Sequence, residues 1–157
     1  MRPFEPRDPD FAARCRDSFQ RQKAMALIGA EMGTIEAGFC RLELPYREEL
    51  TQQHGFFHGG ILTALADSAA GYAAYSLFAA EDSVMTVELK MNLMAPAQGE
   101  RLLAEARVVR RGRTLSVVEM DVFAQQAGRR TAVAKGLGTW IRLAGRPDTP
   151  EVFSNGG

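Results

Sequence analysis

The stretch that decides the fold is HGGILTALADSAAGYAAYSLFAA, residues 58–80. Its apolar and small residues follow one another with few interruptions, which is typical of a helix that is buried on nearly every side. We therefore predict a long helix from about residue 59 to 79, with alanines that let other elements approach closely. The helix carries a single acid, Asp67. Because burial disfavours an ionised carboxylate, an acid in this setting is a candidate for chemistry.

The start of this helix is a second informative feature. Gly59 and Gly60 leave backbone N–H groups uncovered at a helix N-terminus, where the helix dipole also favours negative charge. Asp67 follows roughly two to three turns later. A donor for a developing oxyanion and a nearby carboxylate are two of the parts that acyl-transfer chemistry requires.

The rest of the chain predicts one more helix and six strands. An amphipathic pattern predicts a helix over 9–26, and period-two alternation predicts strands over 27–36, 38–45, 84–94, 100–110, 114–125 and 129–143. Six strands with a buried helix after the second indicate an antiparallel sheet curled round that helix, which is an α+β architecture. The expected divisions are an N-terminal helical extension over 1–26, a main domain over 27–143 and a partly flexible tail over 144–157.

Two of the predicted strands have alternating patterns that assign residues to faces. In strand 84–94 one face is predicted to hold Met85, Val87, Leu89, Met91 and Leu93. In strand 129–143 the alternation is predicted to run through Thr131, Val133, Leu137 and Ile141.

Composition narrows the function further. The 157 residues carry 19 basic and 19 acidic side chains, so no net field attracts nucleic acid or an anionic membrane. The first residues lack the apolar core of a signal peptide, and the longest apolar run is interrupted by polar residues. Cys15 and Cys40 have no metal-ligand spacing and are expected to be reduced thiols in a cytoplasmic protein.

With these residues identified, the chain resembles the hotdog-fold thioesterases, in particular the PaaI-type acyl-CoA thioesterases, from about residue 25 to 143. The most specific part of the match is the pattern of Gly55, His58, Gly59, Gly60 and Asp67. The segments MAPA (94–97) and RGRTL (111–115) resemble the family's third strand with its turn and a later hairpin. The resemblance implies the hotdog fold, a six-stranded antiparallel sheet wrapped around the long helix, here with an extra N-terminal helix.

The resemblance also implies catalytic roles. Asp67 corresponds to the acid that serves as general base or nucleophile, and the N–H of Gly59 corresponds to the oxyanion donor. Gln52 and Thr86 correspond to the residues that place water and substrate. Gln52 stands where the family's Asn is expected and is one methylene longer, so the neighbouring Gln53 is a second candidate.

Other polar residues near the motif are candidate substrate-binding groups. His58 is expected to fix the loop through a hydrogen bond rather than to transfer a proton, with Gly60 beside it. His54 and His58 are four residues apart, but Gly55 stands where a zinc-protease helix has Glu, so no metal site is expected. Arg111 and Arg113 are either solvated turn charges or ligands for a nucleotide phosphate.

The function expected from this reasoning is hydrolysis of acyl-CoA without a metal or redox cofactor. Medium or long acyl chains are expected because the segment around the turn and the strand that resembles the pocket wall are apolar, at Phe56, Phe57, Ile61, Leu62, Met85, Met91 and Met94. The resemblance implies a homodimer, often paired into a homotetramer, with sites that draw on two subunits. Two alternatives remain open: a non-catalytic acyl-CoA-binding hotdog protein and a hotdog dehydratase of hydroxyacyl thioesters.

Overall fold

A computed structural model describes residues 4–150 as three helices, a short 3₁₀ turn and six strands. The helices are α1 (Phe11–Gln20), α2 (Lys23–Ile28) and α3 (Gly59–Tyr75), and the 3₁₀ turn is Glu48–Leu50. The strands are β1 (Glu31–Glu36), β2 (Phe39–Pro45), β3 (Ser83–Leu93), β4 (Arg101–Arg111), β5 (Leu115–Gln126) and β6 (Arg129–Leu143). Residues 151–157 of the expected flexible tail lie outside the described residues.

The strands form one sheet in the order β1-β2-β4-β5-β6-β3, with antiparallel neighbours throughout. One face packs on α3, and its buried residues alternate along the central strands as Cys40, Leu42 and Leu44, then Leu102, Ala104 and Ala106, then Val118, Met120 and Val122. The predicted architecture, an antiparallel sheet around a long buried helix with a helical N-terminus, is confirmed. None of the helices within residues 4–150 is long and apolar enough to cross a membrane.

The N-terminal helix differs from the prediction, which placed one helix over 9–26 and a strand over 27–36. The chain forms two helices because Gln22 adopts an extended conformation (φ −80°, ψ 93°) between them. The second helix continues through 27 and 28 and ends at Gly29, whose φ of +82° is a left-handed conformation that favours glycine. The first strand therefore begins only at Glu31.

A β-bulge divides β3 and overturns the predicted single apolar face. The register with β6 shifts between Thr86 and Glu88, so alternation restarts after the bulge. Leu89 and Met91 pack against the core, whereas Met85 and Val87 lie largely exposed, Val87 at 54%.

A second irregularity corrects the predicted face of β6. The β5–β6 register shifts between Val122 and Phe123. Beyond Val133 the buried positions become Ala134, Gly136, Gly138 and Trp140, and Leu137 is exposed. A Cβ at Gly138 would lie 2.8 Å from the indole of Trp140, so this glycine lets the ring lie flat along β6.

Candidate active site

The imidazole of His58 caps the start of α3. Its Nδ1 accepts a 2.9 Å hydrogen bond from the N–H of Gly60, and its carbonyl accepts from the N–H groups of Ile61 and Leu62. Since Gly60 is engaged in the cap, Gly59 is the residue of this turn whose N–H has no partner within residues 4–150. The free N–H therefore lies at the positive end of the helix dipole, where an oxyanion would be stabilised.

The side chain of Gln52 is hydrogen-bonded within its own loop, before the helix. The side-chain carbonyl of Gln52 accepts a hydrogen bond from the N–H of His54, and Gly55 closes the turn with φ +80°. Gln53 is exposed. Neither glutamine is brought to Asp67 within the chain, and within residues 4–150 no three His, Cys, Asp or Glu side chains are arranged to hold a metal ion.

Asp67 of α3 and Thr86 of β3 form a hydrogen-bonded pair. The carboxylate is about half-buried on α3, and the hydroxyl of Thr86 donates a 2.7 Å hydrogen bond to its Oδ1. Burial raises the pKa of the Asp67 carboxyl above its ordinary value, and the bond from Thr86 acts in the opposite direction. Thr86 lies on the helix-facing side of the edge strand β3, just before the bulge at which the alternation of the strand shifts. From this position its hydroxyl reaches the carboxylate of Asp67.

The free donor and the acid of one chain are too far apart to act on the same carbonyl. Gly59 and Asp67 are separated by eight residues of α3, which corresponds to about 12 Å along the helix axis. A thioester carbonyl that accepts from the N–H of Gly59 is thus out of reach of the Asp67 carboxylate of the same chain.

The arginines expected near a phosphate lie elsewhere in the chain. Arg111 donates a 2.9 Å hydrogen bond to the carbonyl of Glu5, and its pKa is lowered by burial and by the nearby Arg7 and Arg142. The carbonyl of Arg113 accepts from Arg142. Neither Arg111 nor Arg113 lines the cavity beside Asp67.

That cavity has a volume of about 780 Å³ and opens between α1–α2, α3, the start of β3, the end of β6 and the tail as far as residue 150. Asp67 and Thr86 stand on its wall. Of the apolar residues expected to line an acyl pocket, Met85 does so, whereas Phe57 and Leu62 are core residues.

Ser18, Tyr72 and Trp140 also line the cavity, and no pattern in the sequence predicts them there. They come from distant parts of the chain and carry no local motif, so sequence spacing gave no signal for them.

Comparison with known proteins identifies the family and the fold of the chain. A family model described as the thioesterase superfamily matches residues 54–131. A solved thioesterase family protein from Silicibacter pomeroyi is 46% identical, with a TM-score of 0.83 over 85% of this chain and 98% of that one. The E. coli PaaI protein, at 20% identity, shares the fold with a TM-score of 0.79 over 90% of this chain and 99% of its own.

A curated relative, acyl-coenzyme A thioesterase 13 of Mus musculus, is 30% identical over 100 residues, which cover 62% of this chain and 68% of that protein. The helix that carries the glycine turn and Asp67 packs against a sheet of the fold shared with these thioesterases, and its start and its acid fall within residues 54–131. The chain belongs to the thioesterase superfamily and has its hotdog fold.

Proposed function

We propose that this protein hydrolyses acyl-CoA thioesters and releases a free acid and CoA. The observation that carries the proposal is the Asp67 carboxylate, which is half-buried, has a raised pKa and is held by Thr86 on the wall of a cavity. A carboxylate whose pKa is raised by burial is a stronger base and is better suited to accept a proton from water. The name of the mouse relative supports CoA as the leaving group.

In the proposed reaction the thioester carbonyl accepts a hydrogen bond from the N–H of Gly59, and this bond strengthens as the oxygen becomes an oxyanion. Asp67 takes a proton from water while the water oxygen attacks the carbonyl carbon. The C–S bond then breaks, and the proton returns to the CoA thiolate. In the alternative route Asp67 attacks the carbonyl itself and displaces the CoA thiolate, and water then cleaves the resulting anhydride at its aspartyl carbonyl. A single turnover in oxygen-18 water separates the routes, because only the second puts the label into the carboxylate of Asp67.

The separation of about 12 Å between Gly59 and Asp67 along α3 supports a site built from two subunits. In the described part of the chain, strand β3 is at the edge of the sheet, so the β3 strand of a second subunit can pair with it. The proposed assembly is a cytoplasmic homodimer, or a homotetramer of two dimers, in which Asp67 of one subunit faces Gly59 of its partner.

The remaining candidates take supporting roles in this proposal. Gln52 or Gln53 of the loop would help to place the water across the subunit boundary. His58 and Gly60 would shape the turn that presents the Gly59 N–H, as their mutual hydrogen bond suggests. Arg111 and Arg113 would contact the CoA phosphates from a neighbouring subunit, since they do not line this chain's cavity.

A preference for medium or long acyl groups over acetyl is part of the proposal. Of the apolar side chains that the sequence suggests for the acyl pocket, Met85 lines the cavity, and the cavity volume of about 780 Å³ supports the preference independently. Pockets that bind small organic ligands typically have about 300–1,000 Å³. An acetyl group would leave most of this space empty.

Release of free thiol from a series of acyl-CoAs, from acetyl to palmitoyl with aryl members beside them, tests the proposal. Hydrolysis that rises from acetyl to medium chains is the expected result. Saturable binding without thiol release would instead favour a non-catalytic acyl-CoA-binding protein, and loss of water from a hydroxyacyl-CoA would favour a dehydratase.

A further inference from the structure

The cavity beside Asp67 has polar groups on the walls that α1 and α3 form. Ser18 of α1 and Tyr72 of α3 both line it and are 8% and 5% exposed. Their hydroxyl oxygens lie 3.1 Å apart, and either can be the donor. Two hydroxyls joined by one hydrogen bond leave one hydroxyl hydrogen over. Residues 4–150 supply no acceptor for it among the hydrogen bonds of either side chain.

The indole of Trp140 adds a second donor without a partner. Trp140 lines the cavity, is 1% exposed, and its Nε1 has no hydrogen-bond acceptor within the described chain. A buried N–H without an acceptor is costly and calls for an explanation.

The position of this N–H connects it to the reactive acid. A Cβ built on Gly71 would lie 3.7 Å from Nε1, so the N–H edge of the ring faces α3 at a residue without a side chain. Gly71 follows Asp67 by one helical turn on the same face. Trp140 is also the register partner of Thr86, the residue that holds Asp67.

A plain hydrocarbon chain would leave these donors without partners. An acyl group that carries an oxygen would satisfy one of them, and binding sites with buried polar groups reject analogues that lack the matching atom.

The wall is held in place by the N-terminal extension and the tail, because Arg21 of the α1 C-cap donates to the carbonyl of Asp148 at 2.6 Å and to its carboxylate at 3.1 Å.

We propose that the Ser18–Tyr72 hydroxyl pair, together with the Trp140 N–H, is a second recognition point for the acyl group, and that preferred substrates carry a hydroxyl or carbonyl oxygen beyond the thioester carbonyl. This inference rests on the proposed thioester hydrolysis. It assigns a specificity role to α1, which lies outside the segment matched by the family model. Burial raises the pKa of Tyr72, so its hydroxyl stays protonated as a donor.

The test compares kcat/KM for acyl-CoA pairs that differ by one oxygen. Hexanoyl- against 6-hydroxyhexanoyl-CoA forms the alkyl arm, and benzoyl- against 4-hydroxybenzoyl-CoA forms the aryl arm. The wild type is expected to prefer the oxygenated member of at least one pair by about tenfold, the usual effect of one matched hydrogen bond. Tyr72→Phe and Ser18→Ala are expected to bring that ratio toward one while hydrolysis of the plain member continues.

Tyr75→Phe is the matched control, because Tyr75 is buried on the same helix but does not line the cavity. It is expected to leave the ratio unchanged. Equal rates for both members of both pairs in the wild type would overturn the inference, as would a ratio that survives both Tyr72→Phe and Trp140→Phe in folded protein. Those results would leave thioester hydrolysis intact, whereas absence of thiol release from every acyl-CoA would overturn the proposed function itself.

Discussion

The hydroxyl of Thr86 donates a 2.7 Å hydrogen bond to Oδ1 of Asp67, and this contact joins the central helix to the edge strand. Both residues lie on the wall of the same cavity. The bond orients one carboxylate oxygen and leaves the other available for a water molecule or for a thioester carbon.

The first prediction concerns the acid itself. Asp67→Asn keeps the shape of the side chain but cannot take a proton from water, so kcat/KM for acyl-CoA is expected to fall by at least about a hundredfold. Asp121→Asn, on the exposed outer side of the sheet, is the matched control and is expected to keep its activity. Retention of more than about a tenth of the wild-type kcat/KM by Asp67→Asn would place the base or nucleophile elsewhere.

The second prediction is that Asp67→Asn, although it lowers activity, stabilises the folded protein. Because burial raises the folded-state pKa of Asp67, the ionised form is disfavoured in the folded protein, and this cost grows as the pH rises above the unfolded value of about 4. Asp67→Asn is therefore expected to raise Tm at pH 7, with the difference vanishing below about pH 4. Melting curves at both pH values check this, and a lower Tm at pH 7 would contradict it.

A third prediction tests the bond to Thr86. Thr86→Val removes the hydroxyl but keeps the branched shape, and the hydrogen bond it deletes lowers the pKa of Asp67. Activity that needs the carboxylate ionised falls as the pH drops through its pKa, so the acid limb of the kcat/KM profile is expected to move to higher pH. Thr139→Val, which deletes the hydroxyl bonded to Glu88 on the neighbouring strand, is expected to leave that limb in place.

A fourth prediction separates the Gly59 N–H from the space around it. Gly59→Pro deletes this donor at the first helical position, where proline is well accepted, and the extended backbone of His58 (φ −65°, ψ 136°) permits a proline after it. Gly59→Ala keeps the N–H but shares the intrusion, since its Cβ would lie 2.6 Å from the Cδ1 tip of Leu93. The proline variant is expected to be slower than the alanine variant by about a hundred to a thousandfold, and equal rates would remove the oxyanion role.

The imidazole that shapes this turn offers a fifth prediction. His58→Ala removes the side-chain cap of α3 and is expected to cost about 0.5–2 kcal/mol of unfolding free energy, with a loss of activity. His58→Asn restores a side-chain acceptor, so both stability and kcat/KM are expected to recover. An asparagine variant with wild-type Tm but the activity of the alanine variant would show that the imidazole transfers a proton.

The parts of the site that could be predicted from the sequence are those that a short segment encodes by itself. The glycine turn and Asp67 lie on one helix, and the periodicity of that helix is local. The family resemblance predicts Thr86, but the placement of this residue depends on a bulge that arises from the pairing of β3 with β6. Alternation within β3 alone places Met85 and Leu89 on one face, but the bulge between them shifts the alternation, and Met85 is exposed while Leu89 packs against the core.

The cavity wall lies beyond such reasoning for a different reason. Ser18, Tyr72 and Trp140 come from α1, α3 and β6, and only tertiary packing brings them together. The break between the two N-terminal helices is likewise a backbone event at Gln22, a residue with no strong preference for ending a helix.

The last prediction tests whether two subunits share each site. Asp67→Asn and Gly59→Pro subunits are each expected to form nearly inactive homodimers. When both are co-expressed with different affinity tags and the hybrid dimer is isolated through both tags, one of its two sites combines an intact Gly59 with an intact Asp67. The hybrid is therefore expected to recover about half of the wild-type activity per dimer, because a two-fold dimer holds two equivalent sites. The separation of about 12 Å along α3 is the physical reason, since neither chain can bring both groups to one carbonyl. A hybrid that stays as inactive as its parents, or a monomeric mass for the wild type at micromolar concentration, would rule out the shared site.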